Sequence, residues 1–135
     1  METVKTIIDT DLLIDLLRNQ KQAAAFIAGL EEKNYVLATT AINIFELHHG
    51  AHKSQEKEKN LQAINVLVNR LSILPLTSKA AQKAGHIYAL LEGEGQPIGL
   101  RDKFIAAIAI TRECSVATRN QAHFNRISGL KIIIP

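Results

Sequence analysis

Short apolar runs of strand length alternate with longer amphipathic stretches along this chain, and that alternation permits few folds. V-K-T-I-I-D (4–9), Y-V-L-A (35–38), S-V-A-T (115–118) and K-I-I-I (131–134) are compact β-like runs. Between them residues recur at helical spacing: Ala24, Ile27, Ala28 and Glu31 offer that period within 20–33, and the apolar Leu61, Ile64, Leu67, Val68 and Leu71 do so within 61–71. Further helices are predicted over 11–18, from Thr77 and Ser78 through Leu91, and over 100–112. Thr39 and Thr40 suit the cap of a helix that carries Glu46. Pro75 lacks an amide donor, so 72–76 is predicted as a short edge strand. E-G-E-G-Q-P-I-G (92–99) is a breaker-rich loop. Apolar strands separated by helices are the pattern of a parallel sheet covered on both faces. The expected fold is therefore a three-layer α/β/α domain with a central, mainly parallel sheet, and the 135 residues, free of repeats and long linkers, read as one domain over 1–135.

Three carboxylates stand at the ends of the most apolar stretches. Asp9 closes V-K-T-I-I, Glu46 lies inside A-I-N-I-F-E-L, and Asp102 precedes K-F-I-A-A-I-A-I. Burying a carboxylate is costly unless a positive group shares the site. In open parallel sheets, ligands gather beyond the carboxyl ends of the strands. Asp9 ends the first strand, Asn120 follows S-V-A-T, and Asp102 opens a helix that should start at that same edge. Acids brought together there disfavour joint ionisation, and a cation reverses the penalty. Hard oxygen ligands suit Mg²⁺ or Mn²⁺. Such an ion can lower the pKa of bound water and neutralise a scissile phosphate, which points to phosphodiester chemistry.

Each acid also has a structural explanation. Asp102 complements the positive end of its helix. Asp9 and Asp11 in D-T-D serve a strand-to-helix turn, with Thr10 or Asp11 as the cap. Glu46 interrupts an apolar face, and the sequence identifies no buried basic partner for it.

Composition narrows the function classes. A net charge of +3 is compatible with nucleic acid. Aromatics at 4% without tryptophan exclude a base-stacking platform for a single strand. The lone Cys114 forbids an intramolecular disulfide and reads as a buried thiol. No apolar run approaches the roughly 20 residues that span a bilayer. The start lacks the features of a signal peptide, so the expectation is a cytoplasmic protein without membrane association. His48 and His52 have the spacing of a helical zinc pair, but His49 stands where H-E-x-x-H requires Glu, and a zinc site is not expected. His123 reads as a surface residue near the acids.

Four segments carry a family resemblance: I-I-D-T-D-L-L-I-D-L-L-R (7–18), T-A-I-N-I-F-E-L-H-H-G (40–50), I-G-L-R-D-K-F-I-A-A-I-A (98–109) and A-T-R-N-Q-A-H-F-N-R-I-S-G-L (117–130). In order and spacing the chain resembles the PIN-domain ribonucleases, specifically the VapC-type toxins of prokaryotic toxin–antitoxin pairs. The resemblance implies a metal-dependent endoribonuclease that hydrolyses RNA, uses Mg²⁺ or Mn²⁺, forms a homodimer and is silenced by a cognate antitoxin protein. It implies catalytic positions at Asp9, Glu46, Asp102 and Asn120, with Asp9 and Asp102 as principal metal ligands. Glu46 would complete the ligand set or orient the attacking water. Asn120 stands where the wider family often has Asp, which bears on a second metal. Arg101, Thr118 and Arg119 would contact RNA, Thr118 having a hydroxyl that can also hold a carboxylate. Two other readings compete. One is a catalytically impaired PIN-like module that binds RNA or protein, suggested by Asn120. The other is a phosphoacceptor signalling domain, which lacks a convincing later lysine here.

Overall fold

The structure, a computed structural model, describes residues 4–93 and 98–135. Residues 94–97 of the loop expected at 92–99 lie outside the described residues. The elements run β1 (Lys5–Ile8), α1 (Thr10–Leu17), α2 (Lys21–Glu32), β2 (Val36–Thr40), α3 (Ala41–Lys53), α4 (Lys57–Val68), β3 (Ser72–Leu74), α5 (Ser78–Glu92), α6 (Leu100–Thr111), β4 (Ser115–Ala117), α7 (Gln121–Phe124) and β5 (Ile132–Ile133). The five strands form one parallel sheet in the order β3-β2-β1-β4-β5. The expected α/β/α architecture with a parallel sheet is what the chain adopts, and the strand containing the approach to Pro75 lies at an edge.

Adjacent residues of β1 feed opposite faces of the sheet. Ile7 joins Ala38, Leu74 and Val116 in a core with α5 and α6, supplied by Ala84, Ile87, Ile105 and Ile108. Ile8 joins Ala117 in a second core with α1 to α4, supplied by Leu12, Leu13, Ile27, Leu47 and Ile64. A strand buried on both faces needs apolar residues throughout, which is why these runs do not alternate with polar ones. Helix α6 is buried nearly all round: Ile105, Ala106, Ala107, Ile108 and Ala109 are each 0% exposed. A helix of that kind belongs inside a domain, where its alanines let neighbours approach closely.

Two details differ from the expected pattern. In α2 the buried face is Ala23, Ile27 and Leu30, whereas Ala24, Ala28 and Glu31 are exposed. The single-turn α7 was not anticipated. Cys114 is buried as expected, and burial pushes its thiol pKa up.

The strand order decides where a site forms. The connections from β1 lead to β2 on one side, and the chain later returns to place β4 on the other. The border of β1 and β4 is therefore a topological switch point, where a crevice opens beyond the carboxyl ends of the strands. Asp9 and Thr118 are the residues that leave those two ends. Among the described residues, no helix is long and apolar enough to cross a membrane.

Ile108→Ala should lower the unfolding free energy by about 2–5 kcal/mol, the range for truncating a fully buried isoleucine. Val66→Ala, at a side chain 68% exposed, should change it by less than about 0.5 kcal/mol. Urea denaturation measures both, and equal effects would contradict the core assignment.

Candidate active site

Asp9 is held by its position at the turn from β1 into α1. Its amide continues the sheet ladder by donating to the Ala117 carbonyl (3.0 Å), and its carbonyl accepts from Leu12 and Leu13. Its side chain caps α1, Oδ1 accepting from the Thr10 amide at 2.8 Å. Asp9, not Thr10 or Asp11, is thus the cap. The carboxylate is 1% exposed and fully engaged. Oδ1 also accepts from Asn43 Nδ2 (3.0 Å) and Arg101 Nη2 (2.8 Å), while Oδ2 accepts from the Thr118 hydroxyl (2.8 Å).

The start of α3 supplies the second part. Thr40 and Asn43 form a reciprocal capping box, Asn43 N donating to Thr40 Oγ1 and the side-chain Oδ1 of Asn43 accepting from the Thr40 amide and hydroxyl. That arrangement fixes the buried Asn43 amide so that Nδ2 reaches both Asp9 and Thr10 Oγ1 (2.9 Å). Thr10 in turn donates its hydroxyl to Glu46 Oε1 at 2.6 Å. Nearly two turns past its cap, α3 thereby aims Glu46 at the same crevice.

Helix α6 supplies the rest, and with it the cation. Arg101 Nε donates to Glu46 Oε2 (2.6 Å), Nη2 donates to Glu46 Oε1 (2.7 Å) and to Asp9 Oδ1, and Nη1 donates to Asp102 Oδ1. Each guanidinium nitrogen is paired with a carboxylate. The buried basic partner that the sequence did not reveal for Glu46 is this residue. Burial pulls the guanidinium pKa down, but the hydrogen bonds and charges of Glu46 and Asp9 outweigh it and hold the group charged. The other oxygen of Asp102, Oδ2, lies 2.9 Å from His123 Nδ1 on α7.

The structure thus brings Asp9, Glu46, Asp102, Arg101 and Thr118 together. Arg101, expected to contact RNA, faces the acids in this structure. Asn120 donates its backbone amide to Thr118 Oγ1 (3.0 Å), and its side chain is half-exposed. Arg119, the other arginine expected to contact RNA, donates its amide to Asp11 Oδ2 (3.0 Å) and pairs its side chain with Asp15. Burial raises the Asp11 pKa, an effect opposed by that Arg119 amide. Asn43, Thr10 and His123 belong to the network without having been singled out as site residues. The T-x-x-N box was the available clue for Asn43, since a reciprocal cap leaves its amide nitrogen free to donate elsewhere.

Chemically, three carboxylates against one guanidinium leave negative charge in excess, and all-oxygen donors of this kind suit a hard divalent ion. In the present arrangement the guanidinium lies among them, and among the described residues no three His, Cys, Asp or Glu side chains are set around a common metal position. His48 and His52, with ring centroids 6.5 Å apart, likewise have no third ligand among the described residues.

Thr118→Val keeps the shape but deletes the donor to a buried carboxylate oxygen. It should cost about 1.5–3 kcal/mol in urea unfolding. A change within experimental error would show that the hydroxyl does not support Asp9.

Comparison with known proteins sets this geometry in context. Residues 6–130 match the family described as PIN domain. The chain is 31% identical over 128 residues to the tRNA(fMet)-specific endonuclease VapC of Shigella flexneri, covering 95% of this chain and 96% of that protein. It is 32% identical over 129 residues to the protein of the same name from Salmonella typhimurium, covering 96% of each. Among solved structures, VapBC2 from Rickettsia felis bound to a promoter DNA fragment superposes with a TM-score of 0.90 at 26% identity, covering 98% of this chain and 99% of that one. A match of this extent, on a sheet that gathers its acids at the switch point, makes the chain a member of the PIN domain family.

Proposed function

We propose that this protein is a metal-dependent endoribonuclease, the toxin component of a toxin–antitoxin pair, acting in the cytoplasm on an RNA substrate. The observation that carries the reading is the convergence of Asp9, Glu46 and Asp102 from three separate elements onto one guanidinium at the carboxyl edge of the sheet. Relatives that align over nearly the whole chain bear the names endonuclease and ribonuclease. Structures of the same fold come from VapBC assemblies.

In this reading Asp9 and Asp102 hold Mg²⁺ or Mn²⁺, and Glu46 completes the ligand set or orients the attacking water. The ion supplies charge neutralisation at the phosphate and a more acidic bound water. The chain's own residues supply the positioning. Thr10, Asn43 and Thr118 direct the Asp9 oxygens, Thr10 also orients Glu46, and His123 steadies Asp102. Supporting partners of this kind typically change metal affinity or activity by about 10–100-fold when removed. Asn120, beside Thr118 and without charge, is placed to hydrogen-bond a water and not to bind a second ion tightly. Its departure from the family's usual acid keeps a purely binding role as the competing reading.

An apolar groove of about 350 Å³ runs between α1, α2 and α4, lined by Leu13, Leu17, Ile27, Val66 and Leu67. It combines the two helices expected to offer apolar surface, and it suits the amphipathic segment of an antitoxin. A homodimer completes the proposed assembly.

RNA cleavage should require Mg²⁺ or Mn²⁺, vanish in excess EDTA and return when metal is restored. Asp9→Asn and Asp102→Asn should each reduce it by about a hundredfold or more, with circular dichroism unchanged. Full cleavage in EDTA, or full activity in both variants, would overturn the enzymatic reading.

A further inference from the structure

The same oxygens that would ligate a divalent ion are engaged by a side chain of this protein. Asp9 Oδ1, both oxygens of Glu46 and Asp102 Oδ1 all accept from Arg101. A hard cation seated between these acids would take the space the guanidinium fills, and two positive groups packed there would repel. We propose that Arg101 is a built-in occupant of the metal seat, so that a divalent ion enters only as the guanidinium leaves.

Three features of the structure make this an exchange and not a permanent ion pair. First, the cluster is under-neutralised, with one positive group against three acids, so an ion of double charge satisfies it better. Second, Arg101 keeps a route out: its side chain is 29% exposed, while those of Asp9 and Asp102 are 1% and 4% exposed. The two principal ligands are buried, and the occupant, with Glu46 at 27% exposed, is at the solvent side. Third, the acids do not depend on Arg101 alone for orientation. Asp9 keeps the Thr10 amide, Asn43 and Thr118, Glu46 keeps the Thr10 hydroxyl, and Asp102 keeps His123 when the guanidinium withdraws.

The neighbouring basic residue cannot play this part. Lys103 lies on the same helix, but its Nζ sits 3.7 Å from the centre of the Tyr88 ring, turned away from the acids. The occupant is therefore specific to position 101. Its consequence is thermodynamic. When the competent form of a site is only fractionally populated, apparent affinity falls by that fraction. The protein's affinity for its metal is set by how firmly Arg101 is seated, and any contact that draws Arg101 out, such as a phosphate of the substrate, raises it.

The inference rests on reading the acids as a metal site, but its test does not use RNA cleavage. In ¹⁵N NMR of the wild-type protein without metal, the Arg101 Nε–H should give a shifted, slowly exchanging signal, assigned by its loss in Arg101→Lys. Saturating Mg²⁺ should move it to the position and fast exchange of a free arginine. By calorimetry, Arg101→Met should bind Mn²⁺ about tenfold or more tightly than wild type. An Nε–H signal unmoved by Mg²⁺ overturns the proposal, as does equal or weaker Mn²⁺ binding by a folded Arg101→Met. If that variant does not fold, the wild-type titration decides alone. Displacement of Arg101 in a protein that cleaves no RNA would defeat the nuclease reading only. Metal-dependent cleavage with Arg101 still seated would defeat this inference only.

Discussion

Arg101 binds Asp9, Glu46 and Asp102 at once, and the arrangement around it shows what the crevice is built to hold. Two of those carboxylates are almost wholly removed from water. An isolated buried carboxylate would be driven to take up a proton, and several together more so. Positive charge at the centre is therefore a condition for the cluster to exist in ionised form. Neutral donors do much of the aiming but little of the neutralising. Asn43, Thr10 and Thr118 set directions, and the guanidinium supplies the charge.

The sheet topology explains why this meeting happens where it does. Splitting the connections to either side of β1 opens a crevice between β1 and β4, and no strand continues across it at the carboxyl edge. Asp9 leaves β1 there and Thr118 leaves β4 there, so one donates a hydroxyl to the other without any long side chain. Helices α3 and α6 then need only start at that edge to deliver Glu46 and the Arg101–Asp102 pair. The apolar cores on the two faces hold these helix starts in register, which couples the accuracy of the site to packing far from it.

Much of this was legible in the residue pattern. Buried parallel strands announce themselves as short continuous apolar runs, and Pro75 marks an edge because it cannot donate to a ladder. The acids stood out because they terminate or interrupt such runs. What stayed hidden has physical reasons. Arg101 precedes Asp102 in sequence, and nothing in that adjacency shows that its side chain turns inward across three elements. Asn43 read as one more helical residue because its function depends on a cap that leaves its amide free. The buried face of α2 could not be picked out because A-A-A-F-I-A offers alanine in several phases, and alanine marks a buried face weakly. His123 sits on a single-turn helix too short to leave a periodic signature. The carboxylate partners of Arg101 and Arg119 were equally hidden, because each pairs with acids distant in sequence.

The most direct test of a cation-centred site is crystallographic. Crystals of the protein soaked in Mn²⁺ and measured at the manganese absorption edge should show an anomalous peak bounded by the carboxylates of Asp9 and Asp102, with the Arg101 guanidinium withdrawn from between them. Crystals at saturating Mn²⁺ in which Arg101 still bridges all three acids, and no anomalous density lies among them, would contradict the account.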